Sequence, residues 1–233
     1  MRSLNPGRVA GLWYLLLVLI GPLRLIYIPN TLFVPHDAAA TVNNIVAHEW
    51  LFRLGMVADL TGACLLVVMT LTFYRLFESV DRQLAAAVVI FGGVMPAVLY
   101  IVNVVADAAA LTIASGVDVL SVFDAPQRSA LVMLFLRLHD LQVTAAEIIW
   151  GAWLFPLALL IWRSRFLPRF LGVWLAVNGI AWIVLSLTGI LAPHYEDAVF
   201  TYAQPAFMGE MALMLWLLIK GAVPSARAGL SLG

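Results

Sequence analysis

The chain has 233 residues, of which 64% are hydrophobic and 11% charged. Soluble domains carry about 25% charged and about 45–50% apolar residues, so a mean hydropathy of +1.00 leaves too little polar surface for a water-soluble globule and assigns the chain to a bilayer. The 13 basic residues balance the 13 acidic ones and there is one cysteine, Cys64, which excludes a nucleic-acid binder, a disordered chain and a secreted disulfide scaffold.

Six apolar stretches reach the roughly 20 residues that a helical crossing needs: about 9–29, 51–77, 84–113, 127–162, 169–191 and 204–221. They predict an all-α polytopic bundle of six transmembrane helices, forming a single integral membrane domain over residues 1–233. The first stretch follows Arg2 and Arg8, and Ala38-Ala39-Ala40 resembles a cleavage site. Arg24, Pro29 and Asn30 intervene over about a dozen residues, which is too far for signal-peptide cleavage, so the reading is an uncleaved helix. Asp37 predicts an N-cap opening a short external helix at about 38–47, and Asp124 with Pro126 starts the fourth span. Pro22, Pro96 and Pro156 lie within spans and predict kinks. Ala58-x-x-x-Gly62 and Gly92-Gly93 offer surfaces for close helix packing.

Orientation follows from the basic residues. Arg2, Arg8, Arg75, Arg82, Arg163, Arg165, Arg169, Lys220 and Arg227 fall on one side of these spans, against Arg128 alone in the loops of the other. By the positive-inside rule both termini are cytoplasmic, and a bacterial inner membrane is expected. Trp13, Tyr14 and Trp174 then form a cytoplasmic aromatic belt, and Tyr195 and Tyr202 an external one.

Several segments carry a family resemblance. They are Arg8-Val9-Ala10-Gly11-Leu12-Trp13-Tyr14-Leu15, the stretch from Val34 through Asp37-Ala38-Ala39-Ala40-Thr41 to Asn44, and Phe52-Arg53-Leu54-Gly55 with Ala58-Asp59-Leu60. Further along come Leu136-Arg137-Leu138-His139, Phe166-Leu167-Pro168-Arg169 with Leu171-Gly172, and Gly209-Glu210 before Leu215-Trp216-Leu217-Leu218. Spaced over nearly the whole chain, they resemble an uncharacterised bacterial membrane family, domain of unknown function 4386. The resemblance implies the fold and names no reaction, so the chemistry rests on the residues.

Counting helical rise through a core of about 30 Å places Asp59, Asn103, Arg53, Arg137, Asp107 and Arg24 near the outer edge, with His139 and Asp140 close by. Glu147 comes out deeper, and Glu210 and Asn178 come out near the midplane. The expectation is a polar funnel opening outward and narrowing to Glu210. Arg137, Asp140, Thr144 and Glu147 share one helix face, and Glu49 with Arg53 and Gly55 with Asp59 are four-residue steps, so each helix is expected to turn one polar stripe inward. Arg24 and Arg137 are equally able to pair inward or to snorkel to headgroups. Glu49–Arg53 reads first as an interfacial ion pair, and His36, His48 and His194 as exposed. If all were ionised, Arg24, Arg53 and Arg137 would face Glu49, Asp59, Asp107, Asp140, Glu147 and Glu210, an excess of acids that burial does not tolerate. Protonation, a metal ion or a cationic ligand must relieve it.

Three functions fit. The first is a binding module, with Arg53, Asp59, Asn103, Asp107, Arg137, His139, Asp140, Glu147, Asn178 and Glu210 as the ligand-binding set. The second is an intramembrane enzyme acting on an apolar substrate, with Glu147, Glu210, Asp140 and His139 as candidate acid–base residues, or with His139, Asp140 and Glu147 holding a metal. The third is a small proton- or cation-coupled transporter. No nucleotide, zinc-finger or hydrolase motif occurs, and no cofactor is named by the residues. The expected partners are membrane lipids, a lipid-like or cationic small molecule and a second copy of the chain.

Overall fold

The computed structural model describes residues 5–223; Arg2 and Arg227 lie outside the described residues. Among these no strand occurs and six helices are long and apolar enough to cross a bilayer. They are α1 (Pro6–Leu32), α3 (Glu49–Phe77), α4 (Arg82–Ala114), α5 (Ala125–Ser164), α6 (Arg169–Leu191) and α7 (Pro193–Ile219). The short helix α2 spans Ala38–Ala47 between the first two. Every long helix exceeds the residues one crossing requires, and the chain is a multi-pass integral membrane protein.

Local chemistry sets the helix ends. The Asp37 carboxylate accepts from Ala40 N at 2.8 Å and opens α2, and the Asn44 amide reaches back to donate to Leu32 O, a carbonyl at the end of α1. At the start of α5, Asp124 Oδ1 accepts from Gln127 N while Gln127 Oε1 accepts from Asp124 N, a reciprocal capping box. Asp81 caps α4 through Gln83 N and Leu84 N and pairs with Arg163 at 2.6 Å.

α7 departs from the sequence-based expectation. The stretch 192–203, expected as an external loop, is helical from Pro193. Polar residues lower its hydropathy without opposing a helix: Pro193 suits a first turn, and Glu196 and Asp197 favour a helix N-terminus.

The prolines act through π turns. Leu23–Tyr27 follows Pro22 as a five-residue π-helical turn within α1, and Ile90–Val94 is another, shortly before Pro96. α5 breaks at Trp153, three residues before Pro156.

The residues form two compact units. The smaller contains Val18–Ala63 and Val98–Val143. Its core joins Ile28, Leu32, Ile45, Phe52, Leu111, Val132 and Leu136, the apolar faces of α1 to α5 in this stretch. Of the described residues, the larger contains those up to Leu17, Cys64–Ala97 and those from Thr144 onward. Phe73 lies at its centre, edge-on to Tyr14 at 6.1 Å and stacked with Phe77 at 6.4 Å. A methyl on Gly92 would meet the Trp153 ring at 2.6 Å, and one on Gly179 would meet Gly151 O at 2.8 Å. At Gly151 and Gly179 α5 and α6 therefore touch backbone to backbone.

Candidate functional site

In the smaller unit, four charged or polar side chains from four helices converge. Arg24 stands in the π turn of α1 and Asp59 on α3, one turn after Gly55. A Cβ on Gly55 would lie 3.0 Å from Ile28 Cδ1, so the missing side chain lets Ile28 of α1 pack closely on α3. Asp107 comes from α4 and His139 from α5. Arg24 Nε donates to Asp59 Oδ2 at 3.0 Å, and Nη2 donates to Asp107 Oδ2 at 2.8 Å. Nη2 also lies 2.9 Å from His139 Nε2, while His139 Nδ1 is 3.0 Å from Asp107 Oδ1. The side chains of Asp59 and Asp107 are 4% exposed, Arg24 11% and His139 12%, so water screens this network little.

Arg24 Nη2 is also 3.3 Å from His139 Nδ1, so the guanidinium lies against the face of the ring rather than on the lone pair of one nitrogen. The network sets two carboxylates against one guanidinium.

Two amide side chains lie on the same helix faces. Asn103 lies one turn before Asp107 on α4 and is 7% exposed, and its Oδ1 has no partner. Gln142 lies three residues after His139 on α5, with both Oε1 and Nε2 buried and without a partner. Most buried polar atoms in folded proteins find partners, so three orphans on these two faces mark unused capacity for a ligand or water.

In the larger unit the deep acid Glu210 has a different environment. Tyr14 OH donates to Glu210 Oε2, while Trp182 Nε1 and Asn178 Nδ2 donate to Oε1 at 3.1 and 3.2 Å. All three donors are neutral. Trp182 is fixed by Phe207, with ring centroids 4.3 Å apart, and by the edge of Trp150 at 5.4 Å. Asn178 Oδ1 is buried without a partner. Glu147, also in this unit, is buried with Oε2 unpartnered, and Glu196 lies within its electrostatic reach. A Cβ on Gly189 would meet Glu196 Cδ at 3.0 Å and Thr144 Cγ2 at 2.5 Å, so this glycine makes room for the Glu196 carboxylate beside α5.

Of the residues singled out in the sequence, Asp59, Asp107 and His139 thus come together in one unit, and Asn178 with Glu210 in the other. Arg53 does not turn inward: its side chain is 59% exposed and pairs with Glu49 at 2.6 Å. Arg137 and Asp140 also occupy exposed positions of α5, with Asp140 in electrostatic contact with His139 and Arg137. A single inward stripe fails on these helices because neighbouring turns of one face meet different surroundings. His36, His48 and His194 are exposed. Among the described residues, the metal-type donors that gather are Asp59, Asp107 and His139, one nitrogen and two carboxylate oxygens within 4.8 Å of one another.

Tyr14 corrects the interfacial reading, since it is 3% exposed and bonded to Glu210. Trp182 escaped the sequence reading altogether, although its four-residue step from Asn178 was a usable signal. Arg24 was noticed, but only its contacts reveal it as the centre of the smaller unit's network.

No curated protein and no solved structure matches the chain. Residues 9–221 match the family described as Domain of unknown function (DUF4386), and this integral membrane protein belongs to that family.

Proposed function

We propose that the protein is a binding module of a bacterial inner membrane, with both termini cytoplasmic, that captures the cationic head group of a lipid-like molecule in a carboxylate-rich polar site open to the outer side. The observation that carries this reading is the Arg24–Asp59–Asp107–His139 network. Its carboxylates outnumber its guanidinium two to one, and the amides of Asn103 and Gln142 have spare bonding capacity on the same helix faces. A cationic head relieves the charge excess, and the amides supply hydrogen bonds that fix its orientation. The orientation rests on the asymmetry of basic residues, which a reporter fused to the C-terminus checks.

The test is the unfolding temperature of the protein in nanodiscs with dodecylamine, against dodecanol as the uncharged control. Dodecylamine at ten times its dissociation constant is expected to stabilise by about 1.4 kcal/mol. The gain is expected to vanish in Asp107→Asn, with dodecanol giving less throughout. Equal effects of the two, or none from either, would overturn the reading.

A second reading, an intramembrane enzyme with paired carboxylates as acid and base, is favoured by Glu147 and Glu196. Glu147 has an unpartnered buried oxygen, and Glu196 lies within its electrostatic reach. It requires that Glu147→Gln abolish turnover of an apolar substrate while leaving dodecylamine binding intact.

A further inference from the structure

Asp59 and Asp107 accept from a single positive group, the Arg24 guanidinium, and the His139 ring lies against it. Apart from that arginine, what remains is a donor set suited to a metal: two carboxylate oxygens and one imidazole nitrogen, from three different helices, within 4.8 Å of one another. Ligand atoms about 2.0–2.2 Å from a metal lie roughly 3–3.5 Å apart, so small side-chain rotations would close the set. Imidazole with carboxylates and no thiolate suits Mn2+, Fe2+ or Zn2+.

Charge points the same way. Two carboxylates share one guanidinium, whereas a divalent ion carries a charge for each of them. One turn before Asp107 on the same face of α4, Asn103 Oδ1 is buried without a partner.

Arg24 also has a way out. It stands in the π turn Leu23–Tyr27, next to Pro22, and single π turns inside α-helices recur at functional sites because the extra residue can be re-registered without melting the helix. Asp140 lies within electrostatic reach of Arg24 on the exposed side of α5, and an arginine stem is long enough to snorkel.

We infer that Asp59, Asp107 and His139 form a divalent-metal site in which Arg24 is a tethered occupant that exchanges with the ion. The inference rests on the binding reading above, in that it takes the same site to hold a cation, and it names that cation as a metal.

The test uses Mn2+ alone, followed by the loss of its free six-line paramagnetic resonance signal on titration into the full-length protein in nanodiscs. The wild type is expected to bind one Mn2+ per chain, displaceable by Zn2+. Arg24→Met removes the competitor and is expected to tighten binding at least tenfold, while Asp107→Asn and His139→Ala each weaken it at least a hundredfold. Should Arg24→Met fail to fold, the wild-type titration and the two ligand variants carry the test by themselves. Binding unchanged by Asp107→Asn and His139→Ala, or unchanged by a folded Arg24→Met, overturns the inference. So does the absence of binding by the wild type. If Mn2+ does not bind while dodecylamine still stabilises, the metal site falls and the head-group reading stands; if neither binds, both fall.

Discussion

The Arg24 network of the smaller unit and the Glu210 cluster of the larger one solve the same problem in opposite ways. Both bury carboxylates in helices that cross an apolar medium, where an isolated charge is expensive. The first supplies an opposite charge: one guanidinium bridges two aspartates and a histidine. The second supplies only dipoles, with phenol, indole and amide donors shared between the two oxygens of one carboxylate. A charge-compensated cluster is sensitive to any change in its charge sum. A dipole-solvated acid is sensitive to the number of its donors, and tolerates a neutral residue of its own shape far better.

Removing the positive charge gives the largest expected effect. Arg24→Met keeps the stem and strands two buried aspartates, which is expected to destabilise by about 3–5 kcal/mol in unfolding followed by tryptophan fluorescence; a change under 1 kcal/mol would remove the charge-compensation argument. Tyr14→Phe comes next. It deletes one of three donors to a carboxylate and is expected to lose about 1.5–3 kcal/mol, read by the same measurement.

Glu210→Gln sharpens the contrast from the other side. The glutamine carbonyl still accepts from Trp182 and Asn178, and its amide can donate to the Tyr14 hydroxyl, so the expected loss is about 1 kcal/mol or less. A loss as large as that of Arg24→Met would mean that the Glu210 charge itself is needed. Smallest of all is Arg53→Ala, which breaks an exposed i,i+4 pair with Glu49 and is expected to change stability by about 0.3–0.5 kcal/mol.

The fold was legible because hydropathy and length are local properties. Five of the six spans coincide with helices to within a few residues, and the sixth starts earlier because Glu196 and Asp197 dilute the apolar character of its first turns. Capping was legible for the same reason, since Asp37 and Asp124 act on backbone within three residues of themselves.

The sites were legible only in part. Asp59, Asp107 and His139 stood out as ionisable groups in apolar helices, but their meeting point depends on which way each helix faces. The π turn at Leu23–Tyr27 shifts that facing for Arg24, and no periodicity in the sequence announces it. Tyr14 misled because a tyrosine near a predicted interface has two suitable positions, one among headgroups and one inside the protein. Only its partner, 196 residues away in the chain, decides between them.

The contact between Gly151 and Gly179 bears on how the protein adapts to its host bilayer. Where two backbones meet with no side chain between them, neither a lipid tail nor a rotamer change can separate them without opening a void. In a thicker or thinner membrane, the segments of α5 and α6 around Gly151 and Gly179 will therefore lean together, and the mismatch will be absorbed by the helices around them.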